Sequence, residues 1–582
     1  MKKSKLLLTL LLIAAMTVGI LAGCGSKEEA ASTESTEAAS TESTKAADEE
    51  SSKAETSGSE DLYVIDMLVD ANTNVTSSLD TKLGQWIADE FGIAFNYVPF
   101  SGDMSEQQAL LLAGGDYNEI QQMSFQDMVQ QYIGAGVLLN LDDYKELLPD
   151  FYTMYEDVIH YWRSASEDGG LYKWETKVPD DVNQSHFDVL VRADVLEYYG
   201  YPELVTASDW IAFLEKAMKD FPTSYDGQPT VGMTASFAEA YGIQGLAPIG
   251  FEKGYSYMQA SNDYYIYNVE DTKFEEYVLD VPETKESLQF FNDLYTKGLL
   301  DEECFTDTND ITQQKMNNGR AIAVWYTTWN AGAANAALEE AGHPEMCYVE
   351  MPFQLDSQEG QKRSMPAVYS VPSGSYGITD KCKDPEKLMT FINWCCTEEG
   401  QILLQSGFEG EHYTVDAEGI RVPTDFRIQC TQDRDLALSE GLADGSVLFP
   451  GLPAVFSYAS DGQPYCTTAT QEYKDTYSLN DTQRKLFEAM GWESSKAWWE
   501  ENGVVLDPGF WNTCAPDVNS ELGKRGAKAV EVRIKYTANL IMADDFESVW
   551  NEMIGEYEEY NTHEIIDVMN ETLSEKLAAL NK

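Results

Sequence analysis

From Leu62 to Val69 the chain is almost continuously apolar over the length of one strand. Leu79, Leu83, Trp86, Ile87 and Phe91 then recur at helical spacing, Gly92 supplies a stop, and Ile93 to Phe100 alternates as a second strand. Met104 to Ala113 reads as a helix stopped by Gly114-Gly115, and Ser124 can cap another that runs toward Gly134 and Gly136. Strand, helix, strand, helix predicts a largely parallel sheet with right-handed crossovers, whose ligands sit beyond the carboxyl ends of the strands. Further on, helical patterns cover 206–221 with a start at Ser208-Asp209, 282–297, 384–397, 494–501 and a final pair from Asp544 onward; 320–325 and 347–351 read as strands. The sequence has no internal repeat. The pattern predicts a two-lobed α/β body with a helix-rich C-terminal part.

Ahead of Asp61 the pattern changes. Lys2, Lys3 and Lys5 precede an apolar run from Leu6 to Ile20 that ends in Leu21-Ala22-Gly23-Cys24. The run is shorter than the ~20 residues that cross a bilayer, and its anatomy is that of a signal peptide, residues 1–23, with a lipobox at its end. Cys24 then offers its thiol to a diacylglyceryl group. Ser26 to Glu60 is almost wholly Ser, Thr, Glu, Ala and Lys with no aromatic residue, too polar to offset chain entropy, so 24–60 is expected to be a lipidated cysteine and a disordered spacer. The expected location is the outer face of the cytoplasmic membrane, held by the lipid anchor.

Charge narrows the partners. With 99 acidic and 39 basic residues the formal net charge is −60, which argues against nucleic acid or any polyanion held by general attraction. The eight cysteines beyond Cys24 form no CxxC pair and no zinc spacing with histidine, so no bridge and no metal are assigned. The five histidines include no HExxH pair and none beside a nucleophile elbow, and there is no Walker loop. Carboxylates are too abundant for an acid and base pair to be read from them. No catalytic residue and no cofactor is predicted.

Aromatic residues beside polar ones are the unusual feature: Tyr161-Trp162-Arg163, Tyr172-Lys173-Trp174-Glu175, Trp325-Tyr326-Thr327-Thr328-Trp329-Asn330 and Gly509-Phe510-Trp511-Asn512. Aromatic faces stack on sugar rings while amides, carboxylates and arginine take the hydroxyls. Trp325 to Asn330 follows a strand and reads as a loop facing a cleft.

Several segments in order resemble the extracellular solute-binding lipoproteins of carbohydrate ABC importers, of the large oligosaccharide-binding type of Gram-positive bacteria. They are Leu111 to Tyr117, Gly136 to Tyr144 before Pro149, Val191-Arg192-Ala193-Asp194-Val195-Leu196, Thr206 ahead of Trp210, Leu294 to Asp301, Asn318 to Ala323, Tyr376-Gly377-Ile378-Thr379 before Asp384-Pro385-Glu386, and Gly407 to Tyr413. The resemblance implies a two-lobed periplasmic-binding-protein-like fold of type II with a helix-rich second lobe, closing on its ligand by a hinge. By that analogy 61–181 and 352–412 make the first lobe, and 182–351 and 413–582 the second. Candidate ligand-binding residues are Asp116, Trp174, Arg192, Trp325, Trp329, Asn330, Tyr369, Glu411 and Trp511.

The implied partners are a carbohydrate and the permease subunits of an importer, with the protein a monomer. Some such relatives carry a calcium loop rich in Asp and Asn. Here Phe221 to Thr230 offers one carboxylate, too few ligands for Ca²⁺. The rival readings are a surface glycan-degrading enzyme and a sensory or adhesive binding lipoprotein.

Overall fold

The computed structural model describes residues 62–69, 75–99, 104–123, 126–166, 168–175, 189–238, 264–268, 271–325, 328–366, 375–442, 452–453, 457–470, 473, 479–492, 501–506 and 514–580. They fall in one compact unit, 58–582. The signal peptide, Cys24, the spacer, Tyr369, Trp511 and most of the helix expected over 494–501 lie outside the described residues.

In chain order the strands begin with β1 (Tyr63–Val69), β2 (Ile93–Pro99), β3 (Ile120–Met123), β4 (Trp174–Glu175), β5 (Val189–Arg192), β6 (Val231–Thr234), β7 (Ala321–Trp325) and β8 (Tyr348–Met351). They are followed by β9 (Arg363–Pro366), β10 (Ser375–Ile378) and β11 (Gly503–Leu506). The first sheet has the order β2-β1-β3-β10-β4 and the second β8-β5-β7-β6, while β9 and β11 pair by themselves. In the first sheet β1, β2 and β3 run parallel and β10 lies antiparallel to β3 and β4.

The parallel start follows from local signals. Helix α1 (Lys82–Phe91) is capped by Thr81, whose Oγ1 accepts the Gly84 N–H at 2.9 Å, and ends at Gly92 with φ 63°. Gly84 itself is required, because a Cβ there would stand 1.9 Å from the Ser78 carbonyl oxygen. Helices α2 (Met104–Gly114) and α3 (Gln126–Gly134) complete the unit. After β5 come α4 (Ala193–Tyr198) and α5 (Ala207–Asp220). Thr206 caps α5 in a reciprocal box with Asp209, so this helix starts before the expected Ser208-Asp209. Next are α6 (Pro282–Thr296), α7 (Asn309–Asn317), α8 (Pro385–Cys395) and α9 (Asp481–Met490), then α10 (Glu521–Ile541), α11 (Phe546–Tyr557) and α12 (Thr562–Leu580). Among the described residues no helix is long and apolar enough to cross a membrane.

Both sheets are covered on both faces, as the near-continuous apolar strands demand. In the second sheet Val189 and Val191 enter the main core, whereas Leu190 joins Met316, Val324, Leu338 and Tyr348 on the other face. The main core also takes up α6 and the C-terminal helices through Phe291, Leu294, Val532, Leu540, Trp550 and Ile565. In the first sheet Ile65, Met67, Phe95, Ile120 and Ile378 pack with Phe391 and Ile392 of α8, and Met123 turns to a smaller cluster with Tyr132.

The two cores correct the expected lobe limits. Phe353 and Leu355 pack in the second core, although 352–412 was expected in the first lobe. Leu438, Leu442, Leu452 and Tyr465 pack with the first core, although everything after 413 was expected in the second. Apolar contact, not position in the chain, decides membership.

Candidate functional site

The chain passes between the sheets at matching edges. It leaves the first sheet at Glu175 and enters the second at Val189, then leaves the second at Met351 and returns at Ser375. In the first sheet Glu175, Ser375 and Met123 are register partners in a row, as are Val69 and Pro99. In the second, Met351, Val189 and Trp325 are partners, and Thr234 ends β6 beside Val324. These edges include the carboxyl ends of the parallel strands of the two sheets, where open α/β sheets bind ligands. They define the candidate groove.

On the first edge a buried ion pair closes the last strands. Lys173 Nζ donates to Glu175 Oε1 at 2.5 Å and to Ser375 Oγ at 3.0 Å, with both charged side chains at most 4% exposed. Strand alternation explains the arrangement: Trp174, fully buried, turns into the first core opposite Tyr376, and its neighbours turn the other way.

On the second edge the support lies beneath. Lys315 Nζ of α7 donates to Asp301 Oδ2 at 2.6 Å and Asp307 Oδ2 at 2.5 Å, all three buried. Burial alone would lower the lysine pKa, but the two carboxylates hold it well above its ordinary range, while burial raises Asp307. The Asp301 carboxylate also accepts from Thr234 Oγ1 at the end of β6, and Ser236 Oγ bonds Thr312 Oγ1 of α7, both at 2.9 Å. The same helix holds the turn after β7: Asn330 Nδ2 donates to Asn309 Oδ1 at 2.8 Å, and Gln313 Nε2 donates to the Asn330 carbonyl at 3.3 Å. Asn330 is buried and Trp329, one residue earlier, is 51% exposed.

The expected site residues therefore divide. Trp329 and Asn330 sit together on one turn beyond β7, one outward and one anchored. Trp325 is the last residue of β7 and packs in the second core against Phe290, Phe291 and Phe353, because alternation along the strand turns it inward. Trp174 is likewise core. Arg192 ends β5 at the far side from Val189 and is consumed by Asp194, at 3.0 and 2.5 Å, and by the Gly319 carbonyl at 2.8 Å. Asp116 precedes the start of β3, because α2 carries the chain back from the groove end, and so lies at the opposite end from Met123. Glu411 pairs with Lys82 on the surface.

Lys173 and Glu175 stand in the Tyr172–Glu175 cluster singled out in the sequence but not among its candidate residues, and Ser375, Thr234 and Ser236 were not anticipated. The signal for the first two was available, since period two around a core tryptophan places them on the opposite face. Thr234 was hidden by Gly232, whose lack of a Cβ lets β6 lie against Leu299, where an added Cβ would stand 2.3 Å from the carbonyl oxygen.

In the loop compared above with a calcium site, Asp226 Oδ1 accepts the Gln228 N–H at 2.9 Å and the Ser224 N–H bonds the Gln228 carbonyl. Among the described residues no group of three or more His, Cys, Asp or Glu is placed to hold a metal. The eight described cysteines are all free thiols.

Among curated proteins no sequence matches. Solved structures do. An HMO-binding ABC-transporter-associated solute-binding protein from Bifidobacterium longum infantis is 14% identical with a TM-score of 0.60, over 88% of this chain and 98% of its own. The S. pneumoniae ABC-transporter substrate-binding protein FusA, an EF-hand mutant in complex with fructo-nystose, is 15% identical with a TM-score of 0.59, over 89% of this chain and 100% of its own. The N-glycan transport solute-binding protein NgtS of Streptococcus pneumoniae is 13% identical with a TM-score of 0.55, over 89% and 99%. At these identities the likeness establishes the two-lobed α/β fold. A family described as bacterial extracellular solute-binding protein matches residues 85–407, more than half of the chain, and the protein belongs to that family.

Proposed function

We infer that this chain captures an oligosaccharide in the groove between the two sheet edges and delivers it to an ABC importer. The observation that carries the reading is Trp329: a half-exposed aromatic ring at the carboxyl end of β7, on a turn locked by Asn330, in a member of the solute-binding family. Such a ring stacks on a sugar at low entropic cost because its backbone is already fixed. The fold neighbours named above, which bind or transport glycans by their own descriptions, support the carbohydrate class. Capture works by closure: a ligand that touches both edges only when they approach shifts the population to the closed form, and that form is what the permease recognises. Cys24 carries the lipid that keeps the protein at the outer membrane face, and no bond of the sugar is broken.

The test is a thermal-shift screen of the purified protein over neutral and acidic glycans, with chromatography of the glycans afterwards. A ligand bound only by the folded state raises the melting point, by about 2.7 kcal/mol of stabilisation at a hundredfold excess over Kd. The expected result is a shift with some oligosaccharides and their recovery intact. Cleaved product would make the protein an enzyme, and no shift with any glycan would remove sugars from the proposal.

A further inference from the structure

A second cavity, of about 910 Å³, lies in the second lobe on the outer side of β8. Among the described residues only Met351 of the groove edges lines it, and none of β5, β6 or β7 or of the turn carrying Trp329 does, so it opens beside the groove rather than within it. Two aromatic residues enter its wall by the same device. After α4, Gly200 takes φ 74° and the Tyr201 N–H bonds back to the Leu196 carbonyl at 2.8 Å; after α9, Gly491 takes φ 71° and the Trp492 N–H bonds back to the Phe487 carbonyl at 2.9 Å. Both are helix ends of the Schellman type that carry the aromatic residue immediately beyond the glycine. Tyr201 moreover holds φ 57°, a conformation that costs free energy for any residue but glycine, and strain of this kind gathers where a side chain is needed.

The rest of the lining sets the ligand chemistry. The lining carries three carboxylates, Glu203, Asp209 and Glu359, against one cation, Lys362, a balance that disfavours an anion, and Met351 and Met490 add apolar surface. Among the described residues neither Glu203 nor Lys362 has an ion pair. Aromatic side chains lining a cavity together with the Glu203 and Lys362 side chains suit a ring that carries hydroxyls on its rim and apolar C–H groups on its face. The cavity also borders the passage between lobes: Lys362 leads into β9, Asn502 leads into β11, and these strands pair from Arg363 and Gly503 onward.

We propose that this cavity is a second binding site, separate from the groove, for one or two neutral sugar rings. The test is saturation-transfer NMR on the full chain with lactose, methyl α-mannoside and methyl β-galactoside at millimolar concentration, and glucuronate as the charged control. Two variants address the cavity: Trp492→Ala removes the ring, and Ala489→Trp, at an exposed position of α9, fills the space without deleting any group. Trp329→Ala addresses the groove. At least one neutral probe is expected to give saturable transfer that falls at least fivefold in both cavity variants and persists in Trp329→Ala, with glucuronate weaker. Should Trp492→Ala fail to fold, Ala489→Trp alone decides. Transfer unchanged by Ala489→Trp, transfer abolished by Trp329→Ala alone, glucuronate as strong as the neutral probes, or no transfer with any of them would each overturn the site.

Discussion

The two sheet edges that face the groove are held by opposite means. On the first, the buried charges lie in the edge itself: Lys173, Glu175 and Ser375 lock β4 to β10, strand to strand. On the second, they lie one layer back, where Lys315 fastens α7 to Asp301 and Asp307, and α7 in turn reaches forward to the Trp329–Asn330 turn through Asn309 and Gln313. The first edge is stiffened with its aromatic residue turned inward. The second presents its aromatic residue outward on a clamped support. On the proposed reading, the ligand-stacking group belongs to the second lobe, while the first supplies the counter-surface.

Removing one cation from each edge breaks the comparison most strongly. Lys315→Met leaves two carboxylates buried together and should cost about 3–5 kcal/mol of stability, the range for breaking a buried pair. Lys173→Met leaves one, which can take up a proton, and should cost about 1–3 kcal/mol, the price of a buried group left without its partner. Urea unfolding measures both, and equal losses would mean that the two edges are supported alike.

A smaller effect separates the lobes by pH. In the first lobe the Arg163 guanidinium, helped by the Tyr152 hydroxyl and opposed by burial, holds the Asp142 carboxyl down at about 2, against an ordinary value of 3.8. A carboxyl depressed in the folded state stabilises above its unfolded value and loses that contribution as pH falls toward the folded one. The pair is about 30% exposed, so screening leaves about 1–2 kcal/mol, present above pH ~4 and fading toward pH ~2. Asp142→Asn should flatten that limb of the stability curve, and a variant that follows the wild type from pH 4 to 2 would show that the pair contributes nothing there.

How much of this was legible in the sequence depends on the kind of signal. β1, α1 and β2 were readable because an apolar run, a helical stripe and Gly92 agree with one another. β3 was not, since Ile120 to Met123 is short and half polar, and its burial comes from β1 and β10, which are distant in the chain. The long α10 was also missed: the first half of its buried face, with Gly526, Ala529 and Val532, is small-sided and is filled from elsewhere in the chain, as where Gly526 meets Tyr264. For the site, chemical type proved a poor guide and alternation a good one. Trp174 and Trp325 look like stacking residues, yet each occupies a strand position that turns into the core. Asp116 and Arg192 lie in recognisable segments but at the wrong ends of their strands, a matter of topology that no local pattern carries.

The most direct measurement is calorimetric titration of the Trp329→Ala protein with the oligosaccharide that most stabilises the wild type. The account predicts an affinity loss of about 1–3 kcal/mol, because an anchoring aromatic contact is gone, with the melting point of the empty protein nearly unchanged because Trp329 is half exposed. Wild-type affinity in this variant would contradict the account, since the turn beyond β7 would then not be where the sugar is held.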